Sequence, residues 1–206
     1  MGTREKILNT SRILFNKLGI DNVSARIICG ELKISLGNFS YHFPNKSKII
    51  SDLFQNMILE NHTVLESLGG NEISIVAYLD AHRQLFLIQE KYRFFFLNLF
   101  EILTHHQDIR ESYLSNSRAE KKMAKDRLYL YASEGVLKKG IKEEVYDRLI
   151  SVGQILNNSW LVDAEFLYKG NQKKKLNYYM GICCGLLEPH LTDASRKQYN
   201  EYFNSL

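Results

Sequence analysis

Ile34-Ser35-Leu36-Gly37-Asn38-Phe39-Ser40-Tyr41-His42-Phe43-Pro44-Asn45-Lys46 is the stretch on which the reading of this chain turns. A serine side chain can accept a hydrogen bond from the backbone three residues on, so Ser35 starts a helix. Pro44-Asn45 ends it, leaving a short segment, Leu36 to Phe43. Phe39 and Phe43 are four apart and share its inner face. Asn45 in turn caps a long helix from Lys46 to about Leu68, with Ile49, Ile50, Leu53, Phe54, Met57 and Leu65 inward. Upstream, Ser24 caps another short helix, Ala25 to Leu32, with Ile27 and Ile28 expected inward. Cys29 is small, as a close helix crossing requires, and Ile34 plugs the turn. Before these lies a helix from Thr3 to Lys17, whose inner face is Ile7, Leu8, Ser11, Leu14, Phe15 and Leu18 and whose stop is Gly19. Two short helices joined by a tight turn, packed on a first helix, make a helix-turn-helix. In that motif the second short helix enters the DNA major groove, with its N-terminal side chains at the base edges.

Charge agrees with this placement. Residues 1–50 carry eight Lys/Arg against three acidic residues, a net of +5, whereas the remainder of the chain is at −1. A basic excess confined to the first quarter is the footprint expected of a segment that faces phosphates. The chain has 206 residues, 45% of them hydrophobic and 24% charged, which suits a soluble globular protein with a substantial core. Its longest apolar run, Phe94 to Phe100, contains Asn98 and falls far short of the roughly 20 residues a membrane span needs. The opening residues lack the apolar run of a secretory signal, so a cytoplasmic protein without a membrane partner is expected. Cys29, Cys183 and Cys184 make an odd count with two neighbours adjacent, which reads as reduced core cysteines, not a disulfide framework.

Helical periodicity continues to the end of the chain, and no long run alternates with period two. The expected helices are 73–89, 92–103, 108–135, 143–168, 176–187 and 192–203. Gly69-Gly70 is the clearest punctuation, and Gly140 and 169–175 are loop candidates. The fold expected is all-α: an N-terminal three-helix helix-turn-helix domain over 1–48, a hinge helix over about 46–68, and a C-terminal helical ligand-binding and dimerisation domain over 49–206.

The run Gly37-Asn38-Phe39-Ser40-Tyr41-His42-Phe43-Pro44-Asn45-Lys46, with the Gly19 stop and Ser24 cap upstream, resembles the recognition helix and following turn of TetR-type (tetracycline-repressor-like) regulators. The resemblance covers about residues 3–55. It implies that Ser24 and Arg26 meet the DNA backbone and that Ser35, Leu36, Gly37 and Asn38 face base edges. Asn38 suits a bidentate contact to adenine and Leu36 a thymine methyl. Tyr41, His42 and Lys46 are then backbone contacts. A hydrogen bond within the domain for His42, a core position for Tyr41 and a solvated helix-start lysine at Lys46 are the competing readings. Three positions depart from the family: Lys33 stands where glycine is usual and adds a possible phosphate contact, Ser40 where tyrosine is frequent, and Ile27 where a polar residue is usual.

The same resemblance implies a homodimer on a palindromic operator, built by the last long helices. Val145, Leu149, Val152 and Leu156 form one stripe for it, and Tyr179, Met180, Cys183 and Leu187 another. Gly181 and Gly185 are spaced for close helix approach. It also implies a small-molecule effector in an apolar pocket, with Phe95, Phe96, Phe100, Tyr113, Tyr131 and Trp160 as candidate walls and His106 and Asn157 as candidate polar groups; any one of the aromatics is more often core than ligand contact. No cofactor, metal or catalytic residue is expected. The sequence has no nucleophile–base pair, metal-spaced cluster or phosphate loop, so an enzyme is not expected. A helical metalloenzyme using His105, His106 and Asp108 is the weaker rival. A ligand-binding or interaction protein that keeps the fold without reading an operator is the other. The expected output is repression, relieved when an apolar or aromatic ligand favours another arrangement.

Overall fold

The computed structural model describes residues 2–67 and 73–206. Among the described residues there are eleven α-helices: α1 (Thr3–Leu18), α2 (Ala25–Leu32), α3 (Leu36–His42), α4 (Lys46–Ser67), α5 (Ile75–Lys91), α6 (Arg93–Leu97), α7 (Leu99–His105), α8 (Gln107–Ser133), α9 (Glu143–Phe166), α10 (Lys175–Gly185) and α11 (Asp193–Asn204). There is no strand among them, only an isolated antiparallel bridge, Leu137 to Leu191. The all-α expectation holds. The expected turn at Gly69-Gly70, and Leu68, lie outside the described residues.

The helices form two compact units: Met1–Glu60 with Lys91–Ser112, and Asn61–Glu90 with Tyr113–Leu206. This division follows packing, whereas the 1–48/49–206 partition read from sequence is one of roles.

In the first unit, α1 buries Ile7, Leu8, Ser11 and Phe15 as its periodicity predicts. Leu18, expected on the same face, is exposed, because it sits in the last turn beside the Gly19 stop. Phe15 meets Phe94 at 5.4 Å between centroids, and Phe54 stacks on Phe95 at 5.0 Å. Asn16 accepts from the Phe94 backbone N–H (3.0 Å) and donates to the Lys91 carbonyl (2.9 Å), so one side chain satisfies backbone groups at the α5–α6 junction. The single helix expected over 92–103 is broken at Asn98. The Asn98 amide donates to the Phe94 carbonyl (2.7 Å), taking an acceptor that an uninterrupted helix would use for its own ladder.

In the second unit, α8 and α9 run antiparallel, as their side-chain pairs show. Tyr113 is hydrogen-bonded to Asn158, Gln154 donates to Ser117 Oγ (3.2 Å), and Lys125 pairs with Glu143 (2.6 Å) and Asp147 (2.9 Å). Trp160 stacks on Phe86 at 4.8 Å and donates its indole N–H to Gln89. Arg83 donates to Asn177 (2.7 Å), Lys175 pairs with Glu90 (2.6 Å), and Tyr202 donates to Asp80 (2.8 Å), which fastens α5 to α10 and α11. The Leu137–Leu191 bridge joins the α8–α9 loop to the start of α11. The Lys138 N–H donates to the His190 carbonyl (2.8 Å) and the Thr192 N–H to the Val136 carbonyl (3.1 Å).

The α10 stripe expected at a dimer interface turns the other way. Tyr179, Met180, Cys183 and Leu187 are buried inside their own unit. Nearly every position from Tyr178 to Cys184 is apolar, so the helix has no polar face to reveal which side is inward. A Cβ on Gly181 would lie 3.6 Å from Phe203, and one on Gly185 would lie 3.6 Å from the Tyr199 hydroxyl. Their nearest neighbours are thus on α11 of the same chain. The apolar residues left exposed on α9 and α10 are Val152, Ile155, Val162, Phe166, Tyr178 and Ile182, with Leu156 half-buried among them.

Candidate nucleic-acid interface

Each turn around α2 and α3 is closed by a residue chosen for it. Ser24 Oγ accepts from the Ile27 N–H (3.4 Å) and starts α2; Ser35 Oγ accepts from the Asn38 N–H (3.1 Å) and starts α3. Asn45 Oδ1 accepts from the Lys48 N–H (2.9 Å) and caps α4. Between α2 and α3, Lys33 takes the left-handed conformation, φ 54° and ψ 43°. It is the one non-glycine residue with positive φ among the described residues. Its N–H donates to the Gly30 carbonyl (3.3 Å), and the Ile34 N–H reaches back to the Cys29 carbonyl (3.1 Å). Those two bonds and the Cys29–Ile34 apolar pair make a Schellman closure.

Phe39 and Phe43 anchor α3 from beneath, 4% and 0% exposed, with their rings 6.4 Å apart. The Arg4 guanidinium lies over the Phe43 ring and contacts Asp52, to which Lys48 also pairs (3.1 Å). Asp52 so gathers two of the basic residues of this unit. With its aromatic face buried, α3 presents the opposite face outward. Ser35, Leu36, Gly37, Asn38, Ser40 and Tyr41 are all exposed, Leu36 at 46% and Tyr41 at 86%. Two apolar side chains held in water at the start and end of a short helix form a surface that gains from a partner. A core position for Tyr41 is thereby excluded. His42 is half-buried, its ring edge-on to Tyr41 at 5.1 Å. Nothing but Ser35 Oγ, at 3.9 Å, lies near a Cβ built on Gly37, so its backbone stays open to close approach.

Ser24, Arg26 and Lys33 are exposed at the two ends of α2. Ile27, expected inward, is 41% exposed, because the buried side of this eight-residue helix runs from Ile28 to Cys29 and Ile27 lies about 100° outside it. Ile27 therefore joins the outer surface beside Arg26. Lys46 is half-buried, and its ammonium donates to the Ile20 carbonyl (2.9 Å) at the end of α1. It ties the α1–α2 corner to the start of α4 and retains donors for an anion.

The expected pocket residues divide between the units. Phe95, Phe96, Phe100 and His106 belong to the first and Tyr113, Tyr131, Asn157 and Trp160 to the second. Phe100, just past the Asn98 break, is 85% exposed and lines no interior. His106 instead borders a cleft of about 200 Å³ in the first unit, with Ile20, Lys46, Ile50, Ile102 and His105. Tyr131 and Trp160 are buried, and Tyr113 and Asn157 are half-buried on facing helices of the second unit. Among the described residues no group of three or more His, Cys, Asp or Glu is set to hold a metal ion. No helix among them is long and apolar enough to cross a membrane.

Known proteins share this architecture. A TetR-family regulator from Marinobacter aquaeolei VT8 superposes with a TM-score of 0.87 at 24% identity, covering 100% of this chain and 98% of that one. A transcriptional regulator from Saccharomonospora viridis, solved in complex with choline, superposes at 0.73 and 19% identity over 91% of this chain and 96% of its own. SmeT, solved in complex with triclosan, superposes at 0.66 and 15% identity over 94% and 93%. No curated protein sequence matches the chain. The family model described as TetR, bacterial transcriptional repressor, matches residues 56–199, beyond the segment whose motif carried the resemblance. With the helix-turn-helix at one end and the family match over most of the rest, the chain belongs to the TetR family of bacterial transcriptional repressors.

Proposed function

We propose that this TetR-family regulator binds a palindromic operator as a homodimer and is released from it by a small organic effector. The observation that carries this reading is the outer face of α3. Ser35, Leu36, Gly37, Asn38 and Tyr41 are exposed together, while Phe39 and Phe43 hold the helix rigidly from behind. Asn38 reads adenine, and Leu36 packs on a thymine methyl. Ser24, Arg26, Lys33, Ser40, Tyr41, His42 and Lys46 hold the phosphate backbone and set the register.

One such module reads only a few base pairs, so two are needed. The exposed apolar face of Val152, Ile155, Val162 and Phe166 on α9, with Tyr178 and Ile182 on α10, supplies the dimer surface. Leu156, Gly181 and Gly185 lie at its margin. Two reading helices one DNA turn apart, about 34–36 Å, then match a palindrome. Residues 1–48 are the reading head, 49–206 carry dimerisation and effector binding, and α4 is the hinge between these roles. An effector with greater affinity for an arrangement that misaligns the two heads lowers DNA affinity by the same factor that DNA lowers effector affinity. The choline and triclosan complexes of proteins with this fold support an organic effector.

The test is selection of duplexes from a random pool at fixed moderate salt. Enrichment of a palindrome with half-sites about one turn apart is the expected result. Recovery of unbiased, salt-sensitive duplexes would refute operator reading and leave the chain a non-specific binder.

A further inference from the structure

Opposite charges line the cleft of the first unit without meeting across it. The cleft has a volume of about 200 Å³ and is enclosed by three elements: the α1–α2 corner, the start of α4, and α7. Each supplies one buried isoleucine, Ile20, Ile50 and Ile102 respectively, so the deep part is aliphatic. No Phe, Tyr or Trp lines it. The polar lining carries both signs: Lys46 on α4, Glu101 on α7 and Asp21 at the corner, with His105 and His106 at the end of α7. The Lys46 ammonium donates to the Ile20 carbonyl (2.9 Å) and pairs with no carboxylate. Among the described residues, the side chains of Asp21, Glu101, His105 and His106 make no hydrogen bond or ion pair.

Unlike charges that share a cleft and do not pair leave room for a molecule carrying both. An anion suits the α4 side, where the helix starts and Lys46 keeps two donors beyond the one given to Ile20. A cation suits the end of α7, where Glu101 accepts and neutral imidazoles accept as well. A ligand with a negative charge alone would add like charge beside Asp21 and Glu101, and one with a positive charge alone would add it beside Lys46. The three isoleucines call for an aliphatic tail. The volume is below the roughly 300–1,000 Å³ of pockets for drug-sized molecules, so the occupant is small. An α-amino acid carries carboxylate, ammonium and tail on one carbon. We infer that this cleft binds an aliphatic α-amino acid, its carboxylate on Lys46, its ammonium on Glu101 or Asp21, and its tail on Ile20, Ile50 and Ile102. On the reading that Lys46 grips DNA phosphate, the bound carboxylate competes with the duplex for the same ammonium, and the ligand weakens operator binding.

The test is calorimetry on the full-length protein without DNA. Valine, leucine and isoleucine are the probes, with glycine as the zwitterion that lacks a tail. For the tightest of the three, the acid lacking its ammonium and the amine lacking its carboxylate complete the set. The amino acid should bind about tenfold tighter or more than glycine and than either analogue, since each comparison removes the buried tail or one charge-assisted contact. Asp21→Asn combined with Glu101→Gln should lower it to the affinity of the acid without ammonium. Both residues are exposed and neither is on a surface assigned to DNA, and thermal melts separate loss of the site from loss of the fold. Binding of none of the three, an analogue with one charge that binds as tightly, or full affinity in the double variant each overturns the inference. Anisotropy of the selected operator duplex tests the consequence for Lys46: the amino acid should release the duplex from wild type and not from the double variant. Charge-dependent amino-acid binding that leaves duplex affinity unchanged would uphold the cleft and refute the phosphate contact. Failure to select any duplex would refute operator reading, and the calorimetry would still decide the cleft.

Discussion

Lys33 offers a clean separation of backbone strain from DNA contact. Its φ of 54° and ψ of 43° lie in the left-handed region, where a Cβ crowds its own carbonyl at a cost of about 1–2 kcal/mol. The Schellman bonds from Lys33 and Ile34 to the end of α2 hold it there, so the cost cannot be relaxed locally. Lys33→Gly removes the crowding but makes the unfolded chain more flexible, which gives back about 0.4–1 kcal/mol. Lys33→Ala keeps the Cβ and removes the ammonium. Glycine should therefore be more stable than both lysine and alanine by about 0.5–1 kcal/mol, a rise in Tm of roughly 1–4 °C for a chain of this size. DNA affinity should sort the three differently. If the exposed ammonium meets a phosphate, both substitutions lose it in each protomer and lower the salt slope of duplex binding by about 0.9 per protomer. Thermal melts and binding isotherms at several salt concentrations on the three proteins suffice. Glycine no more stable than alanine would refute the strain argument. A salt slope kept by alanine would refute the phosphate contact while leaving the strain argument intact.

Three further outcomes follow from other side chains. Asn38→Ala should flatten preference at one or two operator positions, costing about 1–3 kcal/mol on the cognate duplex and little on others; uniform weakening across a mutated-operator panel would contradict base reading. Lys46→Ala should lower stability by about 1–3 kcal/mol, because its charged hydrogen bond to the Ile20 carbonyl joins α1 to α4, and urea melts would show it; loss of DNA affinity with unchanged stability would place its whole role at phosphate. Burial lowers the His82 imidazole to about 4, although its Nδ1 bonds the Tyr78 carbonyl. A base whose folded value is depressed leaves the unfolded state binding more protons. Stability should thus be complete above about 6.5 and fall by up to about 1.4 kcal/mol per pH unit from there towards 4. His82→Gln should flatten that decline, and an unchanged pH profile in the variant would assign it to another group.

Much of the reading head was legible because local chemistry specifies it. Gly19, Ser24, Ser35, Pro44 and Asn45 each act within a few residues, and the starts of α2, α3 and α4 fall where those caps put them. The Lys33 turn was legible through the resemblance, which has glycine at that position. What could not be read depended on what lies across the core. Ile27 and Ile28 are equally apolar, and only the packing of α1 on α2 decides which is covered. The Phe94–Phe100 run looked continuous because the amide of Asn98, not its hydrophobicity, breaks the ladder. In α10 an apolar residue at nearly every position concealed the buried side, so the exposed pair is Tyr178 and Ile182 and not Tyr179 and Cys183. For the same reason the aromatic inventory did not resolve into a pocket. Trp160 is engaged with Phe86 and Gln89, whereas Phe100 stands in solvent.

The tie between Leu137 and Leu191 is made by main-chain hydrogen bonds, from Lys138 to His190 and from Thr192 to Val136. Such bonds do not depend on which side chains flank them, so they close the base of everything between, α9 and α10 included, irrespective of what those helices carry. The two helices with the exposed apolar face are therefore an excursion from a fixed clasp. Their outward residues can be exchanged without loosening the frame, which gives a lineage of such regulators room to diversify its partner surface while keeping one scaffold.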